Sequence, residues 1–205
     1  MKRSFFCLQV VALFLTVTLA TAARETGARH PADLTGLEIG QTLADFTLAD
    51  LNGAPRSLAQ LKGEKGTLLA FIAVSCPCSN AYNERMEKIA RDYKARGIAF
   101  IGINANAKES SADVKRHAAQ HRFSFPVLKD RGNKLADVLG AQLTPETFLF
   151  DKGQKLIYHG RIDNSKIIDE VKSHDLRNAL EAYLSGKPVE KPILKALGCA
   201  IQRVK

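Results

Sequence analysis

The most constraining stretch of the chain is Leu68–Arg96, LLAFIAVSCPCSNAYNERMEKIARDYKAR. It opens with an unbroken apolar run from Leu68 to Val74, the pattern of a strand buried on both faces. Ser75 and the triplet Cys76-Pro77-Cys78 follow. The period then changes: Tyr82, Met86, Ile89 and Tyr93 recur at helical spacing until Gly97, a residue that tolerates the positive φ of a helix end. A buried strand therefore runs into a helix, with two thiols at the junction. Pro77 suits a first helical turn because it has no N–H to leave unpaired. The free N–H groups and positive dipole end of that helix favour a thiolate, the form in which cysteine is a nucleophile.

The first residues are of another kind. Lys2 and Arg3 precede an apolar run from Phe5 to Leu19, and Ala20-Thr21-Ala22 is an A-x-A site. This is the pattern of a secretory signal peptide over residues 1–22, cleaved before Ala23. An uncleaved membrane anchor is the competing reading, since the run approaches spanning length. Cys7 lies too early in the run for a lipoprotein signal. Cleavage would leave an exported protein, periplasmic or extracellular, with no further membrane segment. It would lower the formal charge of +9 by the two of Lys2 and Arg3, to about +7. The remaining basic residues are scattered without interleaved aromatics, which reads as a solvated surface and speaks against a nucleic-acid partner.

Export leaves Cys76, Cys78 and Cys199 in an oxidising environment. A chain of 205 residues can build its own core and needs no disulfide staples, so the three thiols point to redox chemistry or metal binding. Cys76 is the candidate nucleophile, against the alternative of an inert buried thiol. Cys78 is a local resolving candidate. A C-x-C disulfide would close a smaller, more strained ring than C-x-x-C, and Cys78 could instead never pair with Cys76. Cys199 sits on a tail after Pro188 and Pro192 and could lock Cys76 or Cys78, or stay a free or intermolecular thiol. The apolar residues of that tail need burial, so it should pack back on the domain. A Cys76–Cys199 bridge needs Cα atoms within about 7 Å. His117 and His121 share a helix face but lack a third ligand nearby in sequence, so a solvated face is the simpler reading and no metal site is assigned there. His159 reads as a surface residue near a strand end.

The rest alternates strands and helices. Residues 23–43 form a lead-in. Asp45–Ala49, the turn Asp50-Leu51-Asn52-Gly53 and the following residues make a hairpin, and a short helical turn covers Ser57–Leu61. Ile98–Asn104 is a second buried strand. Ser110 or Ser111 caps a helix carrying Val114 and Ala118 inward. Phe125–Leu128 is a strand. Asn133 caps a helix with Leu135, Val138 and Leu139, closed by Gly140. Thr147–Phe150 and Lys155–His159 form a hairpin, residues 162–172 a charged excursion, and Ser173 caps a last helix that stops at Gly186. The pattern predicts an α/β fold, a mixed β-sheet with helices on both faces and an N-terminal β-hairpin, spanning 44–186, followed by a cysteine-bearing tail over 187–205.

Several of these residues resemble a known family. Phe71–Cys76 is similar to the strand end and first active-site cysteine of thioredoxins. Thr144-Pro145-Glu146-Thr147-Phe148 resembles the thioredoxin-fold loop whose cis-proline faces the active-site thiol. Phe125–Leu128, Leu143-Thr144-Pro145, Tyr158–Asp163, His174–Leu180 and Gly198–Ile201 are together similar to the redoxin group, also called peroxiredoxin-like or AhpC/TSA-like, over about residues 40–202. The resemblance implies a thioredoxin-like fold and an active loop built on Cys76, with Thr144 and Pro145 beside it pairing with substrate backbone, and Ser75 at a hydroxyl position of the site. The chain departs from both parent patterns. Ser79 stands where C-x-x-C would place the second cysteine, and Phe71 stands at the proline of the peroxidatic motif counted back from Cys78.

The main expectation is an exported thiol–disulfide oxidoreductase without cofactor. Cys76 attacks a protein or small-molecule disulfide, Cys78 or Cys199 resolves the mixed disulfide, and a thiol reductant recharges the enzyme. Nothing in the sequence fixes an oligomeric state. A thiol peroxidase with an antioxidant role is one alternative, with Ser75 and an arginine such as Arg161 in support. A copper(I) carrier through Cys76 and Cys78 is another. The copper-assembly relatives of this fold add a histidine near the cis-proline, and Leu143-Thr144-Pro145 has none.

Overall fold

A computed structural model describes residues 36–204. The predicted signal peptide and most of the lead-in lie outside the described residues. Among those residues no helix is long and apolar enough to cross a membrane.

The strand expected at the centre of the fold is there. β1 (Thr47–Asp50), β2 (Pro55–Ser57), β3 (Gly66–Phe71), β4 (Ile98–Asn104), β5 (Val127–Lys129), β7 (Glu146–Asp151) and β8 (Leu156–Gly160) form one sheet in the order β2-β1-β5-β4-β3-β7-β8. β3 runs parallel to β4 and antiparallel to β7, so hydrogen-bonded neighbours cover both its edges. Its side chains alternate between two cores. Leu68, Ala70 and Ile72 face Met86, Ile89 and Tyr93 of α3 (Asn83–Lys94) and Leu176 and Leu180 of α6 (Asp175–Leu184). Leu69 and Phe71 face Ile101, Ile103, Phe148 and Phe150, with Leu58 of α1 (Leu58–Leu61) and Leu135 and Leu139 of α5 (Lys134–Leu139) beyond. Each such fully buried side chain contributes about 1.5–3 kcal/mol, which is why an unbroken apolar run can hold this position and an alternating one could not. The result is the expected thioredoxin-like fold: a mixed sheet with helices on both faces and an N-terminal hairpin.

Local signals mostly held. Ser57 caps α1 in a reciprocal capping box with Gln60, and Ser110 does the same with Asp113 at the start of α4 (Ser111–Gln120). Others need correction. The single helix expected after the cysteines is two: α2 (Pro77–Asn80) and then α3, separated by a turn at Ala81 and Tyr82, with Tyr82 at the N-cap of α3 at φ −103°, ψ −3°. The break lets the Tyr82 ring enter the core, under the Arg85 guanidinium 3.8 Å from its centroid. Asn133 does not cap α5 with its side chain. Its backbone is left-handed, and the Asp130 carboxylate accepts the N–H groups of Leu135 and Ala136 at 3.2 and 2.9 Å instead. Val138 points outward, 55% exposed. The cap position of α6 is His174 rather than Ser173. Asp163, at the start of the charged excursion, is buried and paired with Arg85 at 2.6 Å. The same guanidinium donates to the carbonyls of Ser165 and Lys166, which fastens the charged excursion onto α3.

The tail does pack back. The N–H of His159 donates to Pro192 O at 2.8 Å and that of Leu194 to His159 O at 3.0 Å, so the chain runs alongside β8. It then forms β9 (Cys199–Ala200), antiparallel to β6 (Leu143–Thr144). Gly198 crosses directly over Thr144, and a Cβ there would meet the Thr144 carbonyl.

Candidate active site

The site begins where β3 ends. Residues Ile72–Ser75 leave the sheet as a loop held by several hydrogen bonds. Ala73 N–H donates to Ser79 Oγ at 3.1 Å, Asn80 Nδ2 donates to Val74 O at 2.9 Å, and Asn104 Nδ2 donates to Ile72 O at 3.2 Å. Behind the loop lies Glu109, which is buried. Its carboxylate accepts the N–H of Val74 at 3.0 Å, the N–H of Ser75 at 2.9 Å, the Ser75 hydroxyl at 2.6 Å, and the amides of Asn104 and Asn106 at 2.6 and 3.0 Å. Burial alone would raise its pKa. The hydrogen bonds from Ser75, Val74 and Asn104 outweigh it and hold the group down at about 2, so it is a fixed negative charge. Lys129, also buried, donates to Asn104 Oδ1 at 2.5 Å and Asn106 O at 2.6 Å and completes the network.

On this frame Cys76 takes the N-cap of α2 with extended backbone, and Ser79 N–H points at its Sγ from 3.3 Å. Pro77 fills the first helical position as the sequence implied. With α2 only one turn long, the aimed Ser79 N–H, more than a long-helix dipole, is the donor that steadies sulfur charge here.

The predicted residues assemble. The Thr144–Pro145 peptide bond is cis, and Thr144 O lies 3.3 Å from Cys76 Sγ. Cys199 arrives opposite Thr144 on β9, and a disulfide joins it to Cys76 with Cα atoms 6.1 Å apart, inside the geometric limit. Cys78 is a free thiol, half-buried, and the three sulfurs lie within 4.8 Å of one another. Cys76 itself is only 4% exposed, so an approaching group meets Cys78 and Cys199 first. Ser75 sits at the site's edge with its hydroxyl turned to Glu109.

Other candidates lie elsewhere or do other work. Arg161 donates through Nε to Asp175 at 2.6 Å. His159, read as a surface residue, is partly buried, stacked on Phe148 at 4.2 Å, with Nε2 2.6 Å from Glu146. His117 is buried rather than solvated. Asn83 Nδ2 lies 3.1 Å from its Nε2, and burial with the neighbouring His121 lowers its pKa. The frame of Glu109, Asn104, Asn106 and Lys129 was missed in the sequence. Its one trace is the polar Asn104 closing a run of buried strand residues, and the loop after it carried no pattern.

A thioredoxin-like fold that gathers its thiols beside a cis-proline at the end of the central strand belongs to the class of thiol–disulfide oxidoreductases. Comparison with known proteins agrees. The AhpC/TSA family model matches residues 39–159, and the chain belongs to that family. It is 32% identical over 126 residues to thiol-disulfide oxidoreductase ResA of Halalkalibacterium halodurans, covering 62% of this chain and 70% of the relative. Among solved structures, a hypothetical protein from Sinorhizobium meliloti superposes with TM-score 0.76 at 34% identity, over 82% of this chain and 96% of that one. A structure described as a thiol:disulfide interchange protein DsbE, from Chlorobium tepidum, superposes with TM-score 0.59 at 25% identity, over 73% of this chain and 99% of its own.

Proposed function

We propose that this protein is an exported enzyme that reduces disulfides with Cys76 as nucleophile and Cys199 as the principal resolving thiol, Cys78 standing beside both. The observation that carries the reading is the meeting of three sulfurs within 4.8 Å, two from one loop and one from a tail 123 residues away, next to Thr144 and Pro145. In the reduced enzyme the Cys76 thiolate attacks one sulfur of a substrate disulfide, and the other substrate sulfur leaves and takes a proton. Cys199, as thiolate, then attacks Cys76 Sγ and expels the second substrate thiol. The substrate has gained two electrons and two protons, and the enzyme holds the Cys76–Cys199 disulfide. A dithiol reductant reverses that state and leaves as its own disulfide. Through both halves the Ser79 N–H supports negative charge on Cys76.

Export rests on residues 1–22, with Lys2 and Arg3, the apolar run and Ala20-Thr21-Ala22. Sequencing the N-terminus of the protein from an expressing cell should return Ala23, and an intact Met1 in a cytoplasmic fraction would refute it. For the chemistry, the decisive experiment uses the Cys78→Ser/Cys199→Ser double variant and a protein disulfide substrate. It should accumulate a mixed disulfide on Cys76, found by peptide mass mapping under non-reducing conditions. Accumulation on no cysteine, with turnover preserved, would overturn the assignment.

A further inference from the structure

The three sulfurs also form a donor set, and the tail that brings Cys199 to it is anchored by bonds other than the disulfide. Cys199 is held by backbone and side-chain bonds on its far side. Ile201 N–H donates to Gln142 O at 2.9 Å, Ala107 N–H to Gln202 O at 2.8 Å, Gln202 N–H to Asn106 Oδ1 at 2.9 Å, and Val204 N–H to Asn133 Oδ1 at 2.9 Å. On its near side the tail is bonded to His159. When a dithiol cleaves the Cys76–Cys199 bond, the disulfide takes up two electrons and two protons and the reductant departs as a disulfide. Cys199 stays beside Cys76 and Cys78. The reduced protein therefore presents three preorganised thiols.

Three sulfurs bound to one ion at about 2.3 Å stand roughly 4 Å apart. The cluster spans no more than 4.8 Å, and once the disulfide is reduced the Cys76 and Cys199 sulfurs, on Cα atoms 6.1 Å apart, can open to that spacing by side-chain rotation. All three donors are soft, and among the described residues no histidine or carboxylate joins the cluster. Soft thiolates select copper(I), zinc or iron–sulfur centres. Structural zinc and iron–sulfur sites take four protein ligands, and only three are present. We propose that the reduced protein binds one copper(I) ion through Cys76, Cys78 and Cys199. Leu143-Thr144-Pro145 offers no histidine, and the Cys199 sulfur takes the place of a third ligand beside Cys76 and Cys78. Binding displaces the thiol protons as thiolates form, and it excludes the Cys76–Cys199 disulfide, so occupancy follows the redox state. The proposal stands independently of which thiol attacks a substrate.

The test uses the purified protein, fully reduced with a phosphine, freed of reductant without oxygen, and titrated with copper(I) against the chromophoric chelator bicinchoninate. The reduced protein should take one ion per chain and the disulfide form none. Cys78→Ser keeps the Cys76–Cys199 bridge, verifiable by mass, and so reports on ligation with the fold intact. It should weaken copper(I) binding by more than the roughly 10–100-fold that loss of a mere supporting partner costs. Cys199→Ser should do the same, and X-ray absorption of the loaded protein should count three sulfur neighbours. Copper(I) held as tightly by Cys78→Ser as by the parent, a two-sulfur count, or displacement of copper(I) by equimolar zinc(II) would each overturn the proposal.

Discussion

Glu109 accepts two hydrogen bonds from Ser75, one from the backbone N–H at 2.9 Å and one from the hydroxyl at 2.6 Å. The residue just before Cys76 is thus clamped to a carboxylate from the loop that follows β4. Glu109→Gln keeps the shape and removes the charge. Hydrogen bonds to an ionised acceptor are worth about 1.5–3 kcal/mol, so the variant should lose on the order of 2 kcal/mol of stability at neutral pH, read from the urea midpoint at unchanged slope. A midpoint equal to the parent's would show that the clamp carries no net stability.

The same group sets an acid limit. Its pKa is depressed from 4.5 to about 2 in the folded protein. A depressed carboxylate contributes stability that is present above its unfolded pKa and is lost as pH falls toward the folded one. The parent should therefore lose stability between about pH 4.5 and 2 more steeply than Glu109→Gln, and the two curves should converge in acid. Parallel curves across that window would remove Glu109 from the explanation.

Loss of either bridge partner should be unequal in effect. Cys76→Ser should abolish disulfide reduction, whereas Cys199→Ser should reduce it, because Cys78 remains within reach of Cys76. Both remove a crosslink spanning 123 residues, for which the chain-entropy model assigns about 4–5 kcal/mol, so both should melt well below the oxidised parent. Full activity in Cys76→Ser, measured by insulin reduction, would contradict the assignment.

Peroxide should be a poor oxidant of this site. Phe71 occupies the proline position of the peroxidatic motif and is wholly buried in β3, while Arg161 is committed to Asp175. Stopped-flow oxidation of the reduced protein should proceed at the rate of an ordinary free thiol. Fast stoichiometric oxidation lost in Cys76→Ser or Cys78→Ser would instead establish a peroxidase.

Gly198 tests the seat of the tail. Gly198→Ala forces a methyl into the Thr144 carbonyl, and that backbone cannot yield as a flexible side chain would. The variant should form the Cys76–Cys199 disulfide slowly and incompletely in air, measured by thiol alkylation and mass. Formation at the parent's rate would mean that the tail closes on the site by another path.

What could be read from the chain follows from where the determinants lie. The β3 run, the helical turn beginning at Ser57, the cap at Ser110 or Ser111, and the Cys76-Pro77-Cys78 junction are local, and local pattern located each of them. That the tail returns to the domain was foreseeable because apolar residues on a proline-interrupted tail must find cover, but the sequence left open where Cys199 would land and what it would pair with. The break at Tyr82 was not foreseeable, since Tyr82, Met86 and Ile89 keep helical spacing across it and all three are buried on one face. Glu109 and Lys129 were invisible for another reason. They lie on separate segments, and a charged side chain in sequence carries no mark of the buried partners that will hold it.

The pairing of Cys199–Ala200 with Leu143–Thr144 fills the backbone slot that, on the proposed reading, a polypeptide substrate would use. The chain is its own first client. A tethered competitor acts at a local concentration on the order of millimolar or above, even before its covalent bond is counted. A foreign strand is admitted only if it outbids that resident, whatever its redox potential. Discrimination among substrates is then a contest for one short stretch of backbone, and every residue near Cys199 that strengthens or loosens the tail resets the threshold for entry.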